Sequence, residues 1–182
     1  YTKIDRLLRK GLDRFGVKVL GVIPHEKLLT YPSISELAED LDMEILYSKK
    51  DSLQNVVRKF VIGDMQPHNA LDAFTENTLL IVPGNREGLI LTALIGNMLE
   101  NNVVYYVSGI VFTNGIRPHQ KLLDLIYRTN IPLLLVEEDS FTIASKINST
   151  IFKVRAEDSE KISRIKSLIE EYVDIEYICN QI

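Results

Sequence analysis

The chain of 182 residues has few of the residues that mark several common protein classes. It contains one cysteine, Cys179, so an internal disulfide is excluded and a reducing, cytoplasmic compartment is expected. The histidines His25, His68 and His119 lie far apart, and no CxxC or HxxxH spacing occurs. These spacings predict no metal site, and we expect no cofactor. No apolar stretch reaches the roughly 18 residues of a membrane span, which argues against a membrane partner.

Basic residues are also too few and too scattered for a general nucleic-acid binder. The formal net charge is −4, from 21 Lys and Arg against 25 Asp and Glu. A nucleic-acid-binding domain normally carries a basic face, so we predict no nucleic-acid partner. The apolar fraction of 46% is sufficient for a full core, and the length suits one domain with an appended piece. Because residue 1 is Tyr, we expect the chain to be a piece of a longer product.

Three motifs of common α/β enzymes are missing. The sequence has no GxxxxGK[ST] loop, which argues against nucleotide hydrolysis of the P-loop type. It has no GxGxxG fingerprint for a dinucleotide and no Gly-x-Ser-x-Gly nucleophile elbow. No acid–base pair or nucleophile can be assigned. We therefore predict that this chain is not catalytic.

Apolar runs that end in Gly, Asn or Pro turns predict successive βαβ units. The predicted fold is a mostly parallel β-sheet with helices on both faces. The predicted strands are 17–24, 43–47, 55–65, 78–83, 107–113, 132–136 and 151–154. The helix that follows residue 85 is predicted to bury Leu89, Ile90, Ala93, Leu94 and Met98.

The turn after the strand at 78–83 contains the best candidate site. Gly84 is predicted to form a tight turn with a positive φ, and Asn85 to cap the following helix. Arg86 would lie beside the free backbone N–H groups of the first helical turn, where it could clamp a phosphate or carboxylate. The alternative interpretation is purely structural: Asn85 only caps, and Arg86 only pairs with Glu87 or Asp139.

Two later turns occupy equivalent positions along the predicted sheet. Thr113 offers a hydroxyl, Asn114 tolerates a left-handed conformation, and Gly115 allows a ligand to approach the backbone. Asp139 either caps the helix that begins at Ser140 or orients Arg86. In a parallel sheet these turns gather at one edge, so they form one candidate ligand site. Each turn also has a simpler interpretation as a connection into the next helix.

Two of these turns together resemble a known domain family. Gly84-Asn85-Arg86 followed by Thr113-Asn114-Gly115 looks like the DRTGG domain, named for an Asp-Arg pair near one strand end and a Thr-Gly-Gly near the next. Asn85 stands where the family has Asp, and Asn114 where it has the middle Gly. The resemblance runs over about residues 17–175. Other segments that resemble the family are Gly21–Pro24, Leu29–Ser33, Gly63–Gln66 and Asp139–Thr142.

The resemblance is strongest to the N-terminal half of long bacterial phosphate acetyltransferases. There a dethiobiotin-synthetase-like P-loop domain precedes the DRTGG domain, and the catalytic domain follows. This implies that residues 1–24 are the remnant of the P-loop-like domain. Residues 25–157 would be the DRTGG-type domain, and residues 158–182 the linker helix. A free-standing P-loop-like plus DRTGG protein is similar over the same span.

The resemblance implies a non-catalytic regulatory and oligomerisation domain with a small anionic effector. Its expected partners are a second copy, in a symmetric dimer by default, and the neighbouring catalytic domain of the parent chain. Two alternatives stay open. The domain is a structural scaffold without a ligand, or it is an enzyme acting on a phosphorylated or CoA-linked metabolite at the edge formed by Arg86, Thr113 and Asp139.

Overall fold

A five-stranded β-sheet organises residues 31–152 in the computed structural model, which describes residues 2–98 and 107–180. The strands are β1 Glu44–Tyr47, β2 Lys59–Ile62, β3 Thr78–Pro83, β4 Val107–Thr113 and β5 Leu133–Leu135. The sheet order is β1-β5-β4-β3-β2, and β2 to β5 are parallel. β1 pairs antiparallel with β5 at one border. The mostly parallel α/β fold predicted from the sequence is confirmed.

Helices cover both faces of this sheet because successive strand residues point to opposite sides. The α-helices of the described residues are α1 Thr2–Asp13, α2 Ile34–Asp40, α3 Pro67–Ala73, α4 Glu87–Met98, α5 Gln120–Ile126, α6 Ser140–Ser149, α7 Ser159–Tyr172 and α8 Ile175–Cys179. Ile110 and Phe112 pack with α3, α4 and α5 on one face, whereas Val111 packs with α2 and α6 on the other. Leu89, Ile90, Ala93 and Leu94 are buried as predicted. The side chain of Met98 lies outside the part of the chain whose side chains are described.

α2 begins with a reciprocal capping box. The Ser33 Oγ accepts from the Glu36 amide at 3.2 Å, and the Ser33 amide donates to Glu36 Oε2 at 2.6 Å. Both residues are buried, so these bonds replace water at the helix start.

Three of the predicted strands differ from the structure: one is shorter than predicted, and two are not strands. Only 59–62 of the predicted 55–65 is a strand, because the ladder with β3 runs from Lys59 to Ile62 and Val56 instead forms an isolated bridge with Ser33. Residues 17–24 form a single bridge, from Gly21 to Val173, and no continuous ladder. Residues 151–154 pair with no strand among the described residues, although Phe152 reaches the core.

Residues 1–30 and 153–182 form a second compact unit. Within it, the Arg164 guanidinium pairs with Glu26 at 2.7 Å, and this bond lowers the pKa of the Glu26 carboxyl. The apolar residues along one side of α1 are exposed to solvent. The relative exposure is 58% for Ile4 and 57% for Leu7. Of the helices described, none is long and apolar enough to cross a bilayer.

Candidate functional site

The four parallel strands all end at one edge of the sheet, and the candidate residues lie in the turns that follow them. Pro83 at the end of β3 is aligned with Thr113 at the end of β4. β5 lies next to β4 on the far side from β3. Gly84, Asn114 and Asp139 therefore share the edge, but Asp139 follows a strand that is two positions away from β3.

Gly84 joins the first two turns. Its amide donates to the carbonyl of Ile116 at 3.0 Å. A Cβ atom at this position would lie 2.3 Å from that carbonyl oxygen and 2.6 Å from the Pro118 nitrogen. The predicted positive φ is wrong, because among the described glycines only Gly16 and Gly115 have one. Gly84 is required by the close approach of two backbones.

The turn after β4 has positive φ at both central residues, 58° at Asn114 and 62° at Gly115. The Ile116 amide closes the turn by donating to the Thr113 carbonyl at 3.1 Å, as in a type I′ turn. Asn is the non-glycine residue that tolerates this conformation best, which explains how Asn114 is accommodated. Thr113 itself is fully buried, with its Oγ1 2.9 Å from Ser140 Oγ.

Asp139 caps α6. One carboxylate oxygen accepts from the amides of Phe141 and Thr142, both at 2.9 Å, and the other from the Thr142 hydroxyl at 2.6 Å. The Thr142 hydroxyl and amide hold the pKa of the Asp139 carboxyl below its usual range. The capping role is confirmed, whereas the predicted contact with Arg86 does not occur.

Arg86 is the residue before α4, and its carbonyl accepts from the amides of Leu89 and Ile90. That pattern identifies Arg86 as the N-cap, so the predicted Asn85 cap is wrong. The Arg86 Nη2 donates to the main-chain carbonyl of Met65 at 3.0 Å, in the turn that follows β2. Among the described residues it forms no ion pair, so pairing with Glu87 or Asp139 is also wrong.

Two other cations at this edge, Arg117 and Lys146, are each paired with a carboxylate. The Arg117 guanidinium donates to both Glu44 oxygens, at 2.8 and 3.1 Å. Lys146 pairs with Glu138, and this contact lowers the pKa of the Glu138 carboxyl. Arg86 differs from both because, among the described residues, its guanidinium donates to a neutral carbonyl and pairs with no carboxylate.

A cleft of about 450 Å³ lies at the same edge, where β5 meets β1. Carboxylates dominate its lining, and the only basic residue is Lys146. A Cβ at Gly115 would lie 2.6 Å from a Glu137 oxygen, so that glycine faces a carboxylate. The lining carries more acidic than basic side chains, which disfavours an anion in this cleft. The lining residues are Leu41, Asp42, Glu44, Leu135, Val136, Glu137, Glu138 and Lys146.

The structure thus separates the predicted site residues into two groups. Gly84, Asn85 and Arg86 lie beside the start of α4, whereas Gly115 and Asp139 lie toward the acidic cleft. Sequence reasoning missed the Met65 carbonyl and the Arg117–Glu44 pair. Arg86 meets Met65, and Arg117 meets Glu44, only because of the order of the strands in the sheet. The parallel neighbour relationship of β2 and β3 would have pointed to Met65.

These features define a three-layer α/β domain with turns of fixed geometry after β3 and β4. The sequence profile of the DRTGG domain matches residues 36–150, which is more than half of the chain. The chain belongs to the DRTGG domain family.

The chain is similar to parts of several bacterial phosphate acetyltransferases. It is 27% identical over 156 residues to that of Nitratidesulfovibrio vulgaris, with 84% of this chain and 22% of the relative covered. The enzyme of Pseudomonas putida is 25% identical over 164 residues, with 88% of this chain and 23% of that enzyme covered. The chain spans less than a quarter of the length of these relatives.

The chain is also similar in fold to a solved structure of a bacterial regulatory region. That structure contains the CBS and DRTGG domains of the regulatory region of Clostridium perfringens pyrophosphatase, complexed with its activator diadenosine tetraphosphate. The TM-score is 0.55 at 15% sequence identity, and the match covers 91% of this chain and 69% of that chain. At 15% sequence identity, the similarity is evidence for the fold alone.

Proposed function

We propose that this chain is a non-catalytic regulatory and assembly domain of a cytoplasmic phosphate acetyltransferase-like protein, and that it binds a small anion at Arg86. One observation carries the proposal. Arg86 is held at the strand edge by the Met65 carbonyl and forms no ion pair among the described residues, whereas Arg117 and Lys146 are both paired.

The start of α4 adds donors to the same place. The helix is 12 residues long, and its first amides, at Glu87 and Gly88, have no intrahelical acceptor. Such amides and the positive end of the helix dipole favour a phosphate or carboxylate. A guanidinium beside them adds bidentate recognition of the same groups. The class of effector is therefore a metabolite with an exposed phosphoryl or carboxylate group.

The related proteins support a regulatory role. The pyrophosphatase region with the similar fold is complexed with a nucleotide activator that carries several phosphates. The phosphate acetyltransferases extend far beyond the segment that this chain resembles. In our account catalysis belongs to a neighbouring domain, and the effector biases the packing of this domain against it.

We also propose that the chain's ends belong to the connections with other domains, with boundaries at 1–24, 25–157 and 158–182. The exposed apolar stripe of α1, which includes Ile4 and Leu7, supports this division for the first segment. An amphipathic helix normally buries such a stripe, and a preceding domain would supply the cover.

A thermal-shift titration tests the anion site. The ligands are inorganic phosphate, acetyl phosphate, CoA, pyruvate, NADH, adenine nucleotides and diadenosine tetraphosphate. We expect a saturable rise in melting temperature with at least one phosphorylated ligand, and loss of the rise in Arg86→Ala. Arg117→Ala is the matched control, because it removes an exposed arginine of the same edge that is already paired with Glu44.

Two results would contradict this site. Equal responses of Arg86→Ala and the wild type would place binding elsewhere. Absence of any response would leave the structural scaffold as the better account. Turnover of a phosphorylated or CoA-linked ligand, abolished by Arg86→Ala, would favour the enzyme alternative.

A further inference from the structure

The turn after β4 contains the one Asn-Gly pair of the sequence, Asn114-Gly115. Asparagine is chemically labile, because the backbone amide of the next residue can attack its side chain and release ammonia. Glycine in the next position makes this attack easiest, because it has no side chain to hinder the approach. Asn114 is exposed to solvent, so water reaches its side-chain amide. This pair therefore has the chemistry of a spontaneous deamidation site.

Deamidation at this pair begins at the backbone nitrogen of Gly115. The nitrogen loses its proton and attacks Cγ of Asn114. The bond from Cγ to the side-chain nitrogen breaks, and that nitrogen takes up a proton and leaves as ammonia. The product is a cyclic succinimide. Water then adds to either carbonyl of the ring and opens it, which gives aspartate or isoaspartate, so water is the only co-reactant.

The hydrogen bonds of the folded turn oppose the first step. The Gly115 amide donates to the Val136 carbonyl at 2.9 Å, and an amide that is bonded in this way gives up its proton less readily. The Asn114 amide donates to the Glu138 carbonyl at 2.8 Å, which holds the left-handed conformation with φ of 58°. Closure of the ring needs a backbone rotation that these two bonds resist.

The carboxylate of Glu137 adds an electrostatic barrier at the same place. A Cβ atom at Gly115 would lie 2.6 Å from Glu137 Oε2 and 3.0 Å from Oε1, so the carboxylate lies directly against this glycine. A negative charge there disfavours a second one on the Gly115 nitrogen. The closed turn therefore protects Asn114 both by hydrogen bonding and by charge.

We propose that Asn114 is a modification site that the closed turn protects, and that it deamidates when the turn opens. The bond between Gly115 and Val136 must break before the reaction. The rate then follows the fraction of molecules in which the turn is open, and the modified residue records that opening. This inference goes beyond the proposed function, because it requires no ligand at Arg86.

The modification would change the contact between the turns after β3 and β4. Isoaspartate lengthens the main chain by a methylene group, so the carbonyl of Ile116 no longer lies at its place in the closed turn. The Gly84 amide donates to that carbonyl at 3.0 Å. We therefore expect the modified protein to be less stable than the unmodified one.

Incubation at neutral pH followed by proteolysis and mass spectrometry tests the site, with enzymatic methylation of isoaspartate as a second readout. The samples are the folded chain, the chain in urea and a peptide of residues 110–118 in both solvents. We expect deamidation of Asn114 in the folded chain to be at least about tenfold slower than in the peptide, because the turn must open first. The matched control is Asn114→Gly, which keeps the turn and lacks the amide.

Two results would overturn this proposal. Equal rates in the folded chain and in the peptide would show that the turn gives no protection. Absence of aspartate and isoaspartate at position 114 in the peptide and in the chain in urea would show that the site is unreactive.

Glu137→Gln tests the electrostatic barrier separately. It removes the charge beside Gly115 and should raise the rate in the folded chain, with no change in urea, where this contact is lost. Asp72→Asn removes an exposed carboxylate on α3 and should leave both rates unchanged. Urea denaturation of both variants checks that their stability matches the wild type. An unchanged rate in folded Glu137→Gln would contradict the role of the carboxylate.

Discussion

The amide of Gly84 donates to the carbonyl of Ile116 at 3.0 Å, so the turn after β3 is fastened directly to the turn after β4. The segments that resemble the DRTGG signature, Asn85-Arg86 and Thr113-Asn114-Gly115, lie at these two turns. Their contact fixes the distance between the start of α4 and the Asn114-Gly115 turn, which positions the proposed anion site on a rigid support.

Replacement of Gly84 should therefore destabilise the domain. In Gly84→Ala the new methyl group would clash with backbone atoms of residues 116–118. Backbone atoms cannot rotate away as a flexible side chain could. We expect a loss of about 2 kcal/mol in the free energy of unfolding, measured by urea denaturation. Gly11→Ala is the control, because a Cβ there meets nothing within 4 Å. Equal stability of Gly84→Ala and the wild type would disprove the close-approach explanation.

The left-handed turn makes a different prediction for Asn114. Because its φ is 58°, Asn114→Ala should cost about 1 to 2 kcal/mol, whereas Asn114→Gly should be tolerated. Chemical denaturation of both variants measures the difference. If alanine and glycine were equally tolerated, the Asn side chain would not be selected by the backbone conformation.

The capping box of α2 should contribute measurably to stability. Ser33→Ala removes the acceptor of the Glu36 amide in a buried position and should cost about 1 kcal/mol. Ser35→Ala, in the first turn of the same helix, is the comparison, because the Ser35 hydroxyl makes an exposed contact with Glu39. We expect a clearly smaller loss there. The opposite ranking in thermal or urea unfolding would contradict the assignment.

Asp139 should make the stability of the domain sensitive to acid. Its pKa is lowered in the folded state by the Thr142 hydroxyl and amide, so its ionised form stabilises the fold above the unfolded pKa of about 3.9. That contribution should disappear as pH falls through the lower folded pKa. Asp139→Asn keeps a capping oxygen but does not titrate. The stability advantage of the wild type over Asp139→Asn should therefore shrink as pH falls from about 5 through the lowered pKa of the folded state. A constant difference over this range would exclude the carboxylate as its source.

Local patterns predicted the central sheet well, because a buried parallel strand requires a continuous apolar run. The runs at 78–83 and 107–113 correspond to β3 and β4, and the Asp139 cap depends on residues within three positions. These features depend on nearby sequence. The predicted strands at 17–24 and 151–154 are not strands in the structure. A short apolar segment becomes a strand only if a neighbouring strand is available to pair with it, and local sequence does not show this.

The arrangement at the candidate site could not be predicted in the same way. The contacts of Arg86 with Met65 and of Gly84 with Ile116 join residues that only the strand order brings together. The placement of Glu44 beside Arg117 requires β1 to lie antiparallel against β5. The sequence indicated an anion site along the whole edge. In our proposal the site is confined to the side of Arg86, because the cleft at the other end of the edge is lined mainly by acidic and apolar residues.

The most direct test of the central claim is a titration followed by amide ¹H–¹⁵N correlation spectra. Acetyl phosphate and diadenosine tetraphosphate would be added separately to the wild type and to Arg86→Ala. Our account predicts saturable shifts at the amides of Glu87 and Gly88 in the wild type with at least one ligand, and their loss in Arg86→Ala. Saturable shifts confined to other residues, or no shifts with either ligand, would contradict the proposed site.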